Sequence, residues 1–326
     1  MSAIEGVLHG REALPDGTVR RIGLSDMARP TAGWRLICLG RDSLEARSWL
    51  VERSGLDHSA IAALMAEDTR PRATMMDEDV LLILRGVALD DAGAFADMVS
   101  VRLLIAPDTV IAVQRRRLDT FEARVAALDR GEGAQSVGAF ILGLVEALRA
   151  DAEPILDELE RAVDEFELSS LETDAPPTAR DRGRLNSARH DAILMRRHMH
   201  PQAEALRALA AMRPAWLAEK PLRAPIKEAA DAFRRIGEDL DAVRARAVVV
   251  SDEAGLRVAE QTNRLVLRLS AISIVFLPLT FLTGLFGVNL AGIPAAEHPL
   301  AFAVYVVSVA AVGLATLIWL RRGRLL

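Results

Sequence analysis

The sequence predicts an α+β cytoplasmic domain followed by a long α-helical stalk and a two-helix C-terminal transmembrane hairpin. Three observations carry that expectation. From Leu269 to Ala296 no side chain is ionisable, and a second uncharged run, Pro299 to Leu320, follows almost at once. Apolar, β-branched runs bounded by turn residues crowd the first 120 or so positions. From about Val137 the pattern turns helical and stays so to the end.

In the N-terminal part the strand-like runs are Trp34 to Leu39, Val80 to Val87, Val99 to Ala106 and Thr109 to Val113. Pro107-Asp108 between the last two is a turn signal and predicts an antiparallel hairpin. Leu14-Pro15-Asp16-Gly17 predicts the turn of a shorter hairpin. Helical patterns cover Ser43 to Arg53 and His58 to Asp68, and the sheet is expected to be antiparallel or mixed. No Gly-rich phosphate loop or nucleophile elbow occurs, and no triad or cluster of metal ligands can be assembled, so no enzyme is expected.

Two long helices are expected at Val137 to Thr173 and Thr178 to Met212, with Pro176-Pro177 as the corner. Ten acids against the single base Arg161 lie between Asp151 and Asp174, and eight arginines against three acids between Arg180 and Arg213. Folding back at the prolines lays one charge run beside the other. The sharper reading is an acidic patch that gathers cations, or a regulatory metal site between subunits. His198 and His200 project ~200° apart on a helix, a poor chelate and an expected surface pair.

The next helix is expected to begin near Pro225 and to run to Gly287. Ile226, Phe233, Leu240, Ala247 and Ala254 recur in heptads, with Ala229, Ile236, Val243 and Val250 three residues on. Such a helix is roughly 90 Å long; an ordinary packed helix that breaks near Gly255 is the alternative.

A helix needs about 20 apolar residues to cross the ~30 Å hydrocarbon core, and both uncharged runs are long enough. The expected division is 1–135 for the α+β domain, 136–264 for the helical and stalk region, and 265–326 for the hairpin. Within the hairpin the spans fall at about 266–287 and 299–320, with a loop at 288–298. Arg264 and Arg268 precede the first span, Arg321, Arg322 and Arg324 follow the second, and the loop holds only the acid Glu297. Both termini are therefore expected in the cytoplasm, with the loop outside.

Composition agrees with two averaged regions: 51% hydrophobic residues stand beside 26% charged, and the mean hydropathy is +0.19. Cys38 is the one cysteine, so neither an intrachain disulfide nor a Cys-based zinc site within one subunit can form. The first residues lack the basic-then-apolar run of a signal peptide. A net charge of −5 and no basic, aromatic-interleaved patch argue against nucleic acid.

The segment FLPLTFLTGLFGVNLAGIP, with Gly287-Val288-Asn289 at the end of a span, resembles the first membrane helix and signature loop of the CorA superfamily of divalent-cation transporters. The usual signature there is Gly-Met-Asn, and Val288 departs from it. A Gly-Val-Asn turn followed by Gly-Ile-Pro resembles the zinc-transporter (ZntB) branch. So do TRPRATMMDEDVLLILRGVAL and DMVSVRLLIAPDTVIAVQRRRL in the soluble part.

The resemblance implies a CorA-like homopentamer in the cell inner membrane, with the first span lining a pore and the second facing lipid. By match to the family pattern the path runs from outside through Asn289, Gly284, Thr280, Leu277, Ser273 and Leu269, with Asn263 and Asp252 toward the cytoplasmic exit. The residues agree on which span is which. Ser270, Ser273, Thr280 and Thr283 fall within an arc of roughly 140° that also holds Leu277 and Gly284. Asn289 offers a neutral amide oxygen to a hydrated cation, or holds the turn by tolerating left-handed φ. Leu269 and Leu277 form apolar rings that gate by dewetting or pack between subunits.

Glu297 and His298 at the outer mouth are the only approach to zinc-ligand chemistry, so no metal-ligating set is assigned. No cofactor is expected; the carried ion is expected to be Zn2+, with Mg2+, Co2+, Ni2+ and Cd2+ as alternatives. Expected partners are the lipid bilayer, divalent cations and copies of the chain. A magnesium or cobalt transporter of the same fold is the first rival. A sensor or scaffold anchored by the hairpin is the second, against which the hydroxyl-bearing face speaks. Uptake follows the membrane potential, with proton assistance implied by the resemblance.

Overall fold

The computed structural model describes residues 7–67, 69–132, 135–172, 177–217, 220–287 and 299–322. The chain divides after Val250 into two compact units. The long helix α6 (Lys220–Phe286) contributes its first part to one and its remainder to the other.

The first unit is built on a seven-stranded mixed sheet. Its strands are β1 (Val7–Ala13), β2 (Val19–Arg21), β3 (Trp34–Gly40), β4 (Arg72–Met76), β5 (Asp79–Leu89), β6 (Phe95–Ile105) and β7 (Thr109–Gln114), in the order β2-β1-β3-β7-β6-β5-β4. Among the described residues only β3 and β7 pair in parallel. That pairing is possible because a long crossover, including helices α1 (Leu44–Glu52) and α2 (His58–Met65), separates them. The Pro107-Asp108 turn joins β6 to β7 antiparallel, as its sequence predicts.

Both faces of the sheet are covered, so its central strands are largely apolar rather than alternating; every residue of β3 is buried, Arg35 included. On one face Ile37, Leu39, Ile83, Leu104 and Val113 pack with Trp49, Leu50, Ile61 and Leu64 of α1 and α2. The other face meets α3 (Asp119–Asp129), α4 (Val137–Glu172) and α5 (Ala179–Met212). Strand β4 and helix α3 have no counterpart in the sequence reading. The first is short and carries no β-branched run beyond Thr74, and the second has no sustained apolar stripe.

Buried charge in this core includes Arg102, 2% exposed, which donates to the carbonyl of Ala66 at 3.0 Å, and the ion pairs around Glu12. Glu12 is 1% exposed, held by Arg35 at 3.0 Å and Arg20 at 2.5 Å. Burial pushes its pKa up, but hydrogen bonds from Thr31, Arg20 and Arg35 outweigh it and leave the carboxyl at about 2.

The helical layer revises two expectations. α6 begins at Lys220, five residues before Pro225; Pro221 falls in the first turn, where no N–H requires an intrahelical partner. The opposed charge runs of α4 and α5 meet directly at Glu165–Arg184, 2.7 Å, but much of their charge goes to α6. Arg246 binds Asp164 at 2.7 Å and Glu167 at 2.8 Å. Arg207 binds Asp231 at 2.7 Å, and Arg196 pairs with Asp241. The corner at Pro176 lies outside the described residues, while Thr178 next to it forms a capping box with Asp181.

His198 is buried rather than on the surface. His200 lies flat on Gly237 of α6, where a Cβ would stand only 3.0 Å from the ring. All nine heptad positions of α6 are buried. Between Ile226 and Val250 the cross-helix ion pairs place this seam against α4 and α5 of the same chain. The heptads are thus consumed inside one subunit and carry no argument for assembly.

Candidate functional site

The second unit contains the remainder of α6 and helix α7 (Ala301–Arg322). Each holds a stretch long and apolar enough to cross a membrane, with mean hydropathies of 2.2 and 2.3. Their large side chains point outward: Leu277 is 76% exposed, Phe281 68% and Phe302 77%. A contiguous apolar surface of this kind is stable in lipid or against other protein, not in water.

The two helices pack antiparallel in a definite register. Phe286 and Tyr305 stack with ring centroids 5.3 Å apart. Leu279 lies opposite Gly313, where an added Cβ would meet its methyl at 3.5 Å. Ala271 and Leu320, both buried, occupy the position that continues this register one step inward. On α7 the less exposed positions Ala301, Tyr305, Val309, Val312, Gly313, Thr316 and Leu320 form one stripe along the helix.

This register sorts the faces of α6. At 100° per residue, Leu269, Thr280, Ser273, Gly284, Leu277, Asp252 and Asn263 all fall within an arc of about 120°. Buried Ala271, together with Leu279 and Phe286, which meet α7, centres on the opposite side, about 170° away. All seven residues of the front arc are exposed in the single chain. Helix α7 therefore occupies the back of α6 and leaves the front bare.

The front offers weak, neutral oxygen chemistry. Ser273 Oγ donates to the carbonyl of Leu269 at 3.0 Å. At the edge of the front, Thr283 donates to Leu279, and at 3.3 Å to Thr280. A hydroxyl whose proton is committed to the preceding turn turns its lone pairs outward as acceptors. Pro278 lacks the N–H that would bond the Ile274 carbonyl, so one further backbone oxygen is released inside the span. Among the described residues no group of three or more His, Cys, Asp or Glu side chains is placed to hold a metal.

Gly287 follows the last helical residue, and its N–H closes on Thr283 O at 2.9 Å. Val288, Asn289, Glu297 and His298 lie outside the described residues. The acidic-patch expectation falls on α4, where Asp164, Glu165 and Glu167 are tied to arginines. Glu160 there has its pKa raised by burial and by Asp239, Asp157 and Asp164. In the sequence, Tyr305 and Gly313 are marked only as an aromatic and a glycine on one stripe of a span.

The chain matches the profile of the CorA-like Mg2+ transporter proteins over residues 33–322. It belongs to the CorA-like transporter family. Among its relatives is the zinc transport protein ZntB of Pectobacterium atrosepticum, 31% identical over 98% of this chain and 96% of that one. The full-length CmaX protein shares the fold with a TM-score of 0.84 and 28% identity, over 99% of this chain and 100% of that one. The CorA magnesium transporter of Methanocaldococcus jannaschii shares the fold at a TM-score of 0.80 and 12% identity, covering 99% of both chains.

As a CorA-like transporter, the chain carries its two apolar helices as the membrane part, and their exposed surface is accounted for. The mixed sheet and the helices packed on it form the soluble part.

Proposed function

We propose that this chain carries divalent cations, zinc foremost, inward across the cell inner membrane through a central pore built by five copies. The observation that carries the reading is the bare front of α6: Leu269, Ser273, Leu277, Thr280 and Gly284 are exposed on the side opposite α7. One two-helix hairpin cannot enclose a water-filled path, so a pore requires several copies to turn these faces inward. Similarity to the zinc transport protein ZntB supports zinc. Asn289 stands at the outer mouth, Glu297 and His298 concentrate ions there, and Asn263 and Asp252 lie toward the exit.

The front arc holds no thiolate or imidazole, the ligands Zn2+ prefers. The ion therefore passes with its water, held by hydroxyl, amide and carbonyl oxygens that do not bind too tightly for release. Inward movement through an inside-negative potential releases about 4.6 kcal/mol per 100 mV for a double charge, twice the ~2.3 of a single one. No proton carrier is required by that driving force. The flanking arginines support a cytoplasmic position for both termini.

Transport of Mg2+ is the second reading, favoured by the neutral oxygen chemistry of the same face, which suits a firmly hydrated ion. Flux into proteoliposomes under imposed voltage and pH gradients, with Zn2+, Mg2+, Co2+, Ni2+ and Cd2+ in turn, separates the two. No flux of any of these ions would leave the hairpin as a mere anchor and overturn both.

A further inference from the structure

We propose that Arg264 and Arg268 of α6, with Arg321 and Arg322 at the end of α7, form a binding site for the headgroup of an anionic phospholipid. The inference rests on the hairpin lying in a bilayer and not on which ion it carries. All four arginines are exposed. With Ala271 level with Leu320, Arg268 lies three residues and Arg264 seven residues beyond that level on α6, and Arg321 and Arg322 one and two beyond it on α7. The four guanidinium groups thus occupy a layer roughly 10 Å deep along the hairpin axis, comparable to one headgroup layer.

Direction distinguishes these arginines from the candidate path. Arg264 and Arg268 project about 160° to either side of the centre of the front arc, so they face away from the ion line and toward the side that bears α7. The neutral Asn263 and the acid Asp252 lie on the front. Beside the arginines, Trp319 is 63% exposed, and an exposed indole next to cationic side chains marks the headgroup level. Leu265, Leu267 and Ile318, also exposed, supply the apolar surface that acyl chains require. That surface distinguishes a lipid site from a site for free phosphate.

Among the described residues little negative charge stands against these arginines. Residues 261–287 and 299–322 contain no Asp or Glu. Glu260, a turn deeper, stands 4.0 Å from Arg264 and leaves the cluster strongly positive. Guanidinium forks bind phosphate oxygens in pairs, which a neutral phosphocholine headgroup disfavours by its own ammonium.

The test is native mass spectrometry of the full chain in detergent with equal amounts of phosphatidylglycerol and phosphatidylcholine of the same acyl chains. Phosphatidylglycerol should be retained preferentially. Loss of each arginine should weaken retention about fivefold, the equivalent of ~1 kcal/mol, and R264Q/R268Q together should lower it more than tenfold. The charge-keeping pair R264K/R268K should retain more than the glutamine pair, which separates lost charge from lost folding. Equal retention of the two lipids, or unchanged retention in R264Q/R268Q/R321Q/R322Q, would overturn the site. Displacement by millimolar inorganic phosphate would assign it to free phosphate and overturn the lipid reading. No transported ion enters the assay, so its failure leaves the transport reading untouched.

Discussion

The ring of Phe286, the last residue of α6, lies 5.3 Å from the ring of Tyr305 near the start of α7, inclined at 57°. This contact fixes where α6 ends relative to α7, and so fixes the angular position of Gly287 at the end of the helix. Such an aromatic pair contributes about 0.5–1.5 kcal/mol beyond its burial.

Gly313 tests the register that this contact sets. A Cβ there meets Leu279 at ordinary contact distance, so Gly313→Ala should leave flux and thermal stability nearly unchanged. Gly313→Leu forces the helices apart at a cost of about 1–3 kcal/mol and should lower the melting temperature in detergent. A leucine variant as stable as the parent would show that α7 does not pack on this face of α6.

Assembly is decided by mass. Native mass spectrometry should give five copies, and a population of only monomers or dimers would sink the pore. The prediction stands on the lone hairpin, since the heptads of α6 are spent within one chain.

At the outer turn, Asn289→Ala should abolish zinc uptake while assembly and membrane insertion persist. Near-normal flux from a correctly assembled variant would remove any essential role for that amide.

If zinc crosses hydrated, Co2+ and Ni2+ should move at rates within about tenfold of Zn2+, a spread of ~1.4 kcal/mol in barrier. His298→Ala should then change capture at low zinc more than the maximal rate. A zinc preference above a thousandfold, or complete loss of maximal flux in His298→Ala, would mean that zinc sheds its water onto protein ligands.

Acid stability should follow Glu12. Its folded pKa of about 2 lies below the ordinary unfolded value of ~4.3. The stabilisation is therefore present in full above the unfolded value and is lost as pH falls toward the folded one. Glu12→Gln leaves Arg35 buried without its counter-charge, costing about 3 kcal/mol at neutral pH, and should flatten the stability profile between pH ~5 and ~2. A variant melting like the parent at pH 7 would show that Arg35 is satisfied by its backbone partners alone.

Much of this architecture is written in local chemistry. Strands β3, β5, β6 and β7 announce themselves because burial on both sheet faces favours long, mostly apolar runs. β4 does not, because at the sheet edge Arg72, Thr74 and Met75 leave much of the strand open to solvent. The front arc of α6 is legible because angular position on a helix depends on spacing alone.

The sequence by itself determined the two apolar spans, the helical periodicity of α6 and the hydroxyl-bearing arc of its first span. Each depends only on composition and on the fixed geometry of a helix. The line from Leu269 to Gly284 comes from the resemblance to the family pattern. The tertiary structure decided which face of α6 stays bare. It did so because α7 seats its small Gly313 on Leu279 and its Tyr305 on Phe286, contacts between segments whose pairing no local pattern encodes. It also decided that the α6 heptads close on the same chain, where Arg246 reaches Asp164 and Glu167. A heptad specifies that a face will be buried; the nearest apolar surface, here α4 and α5, determines against what.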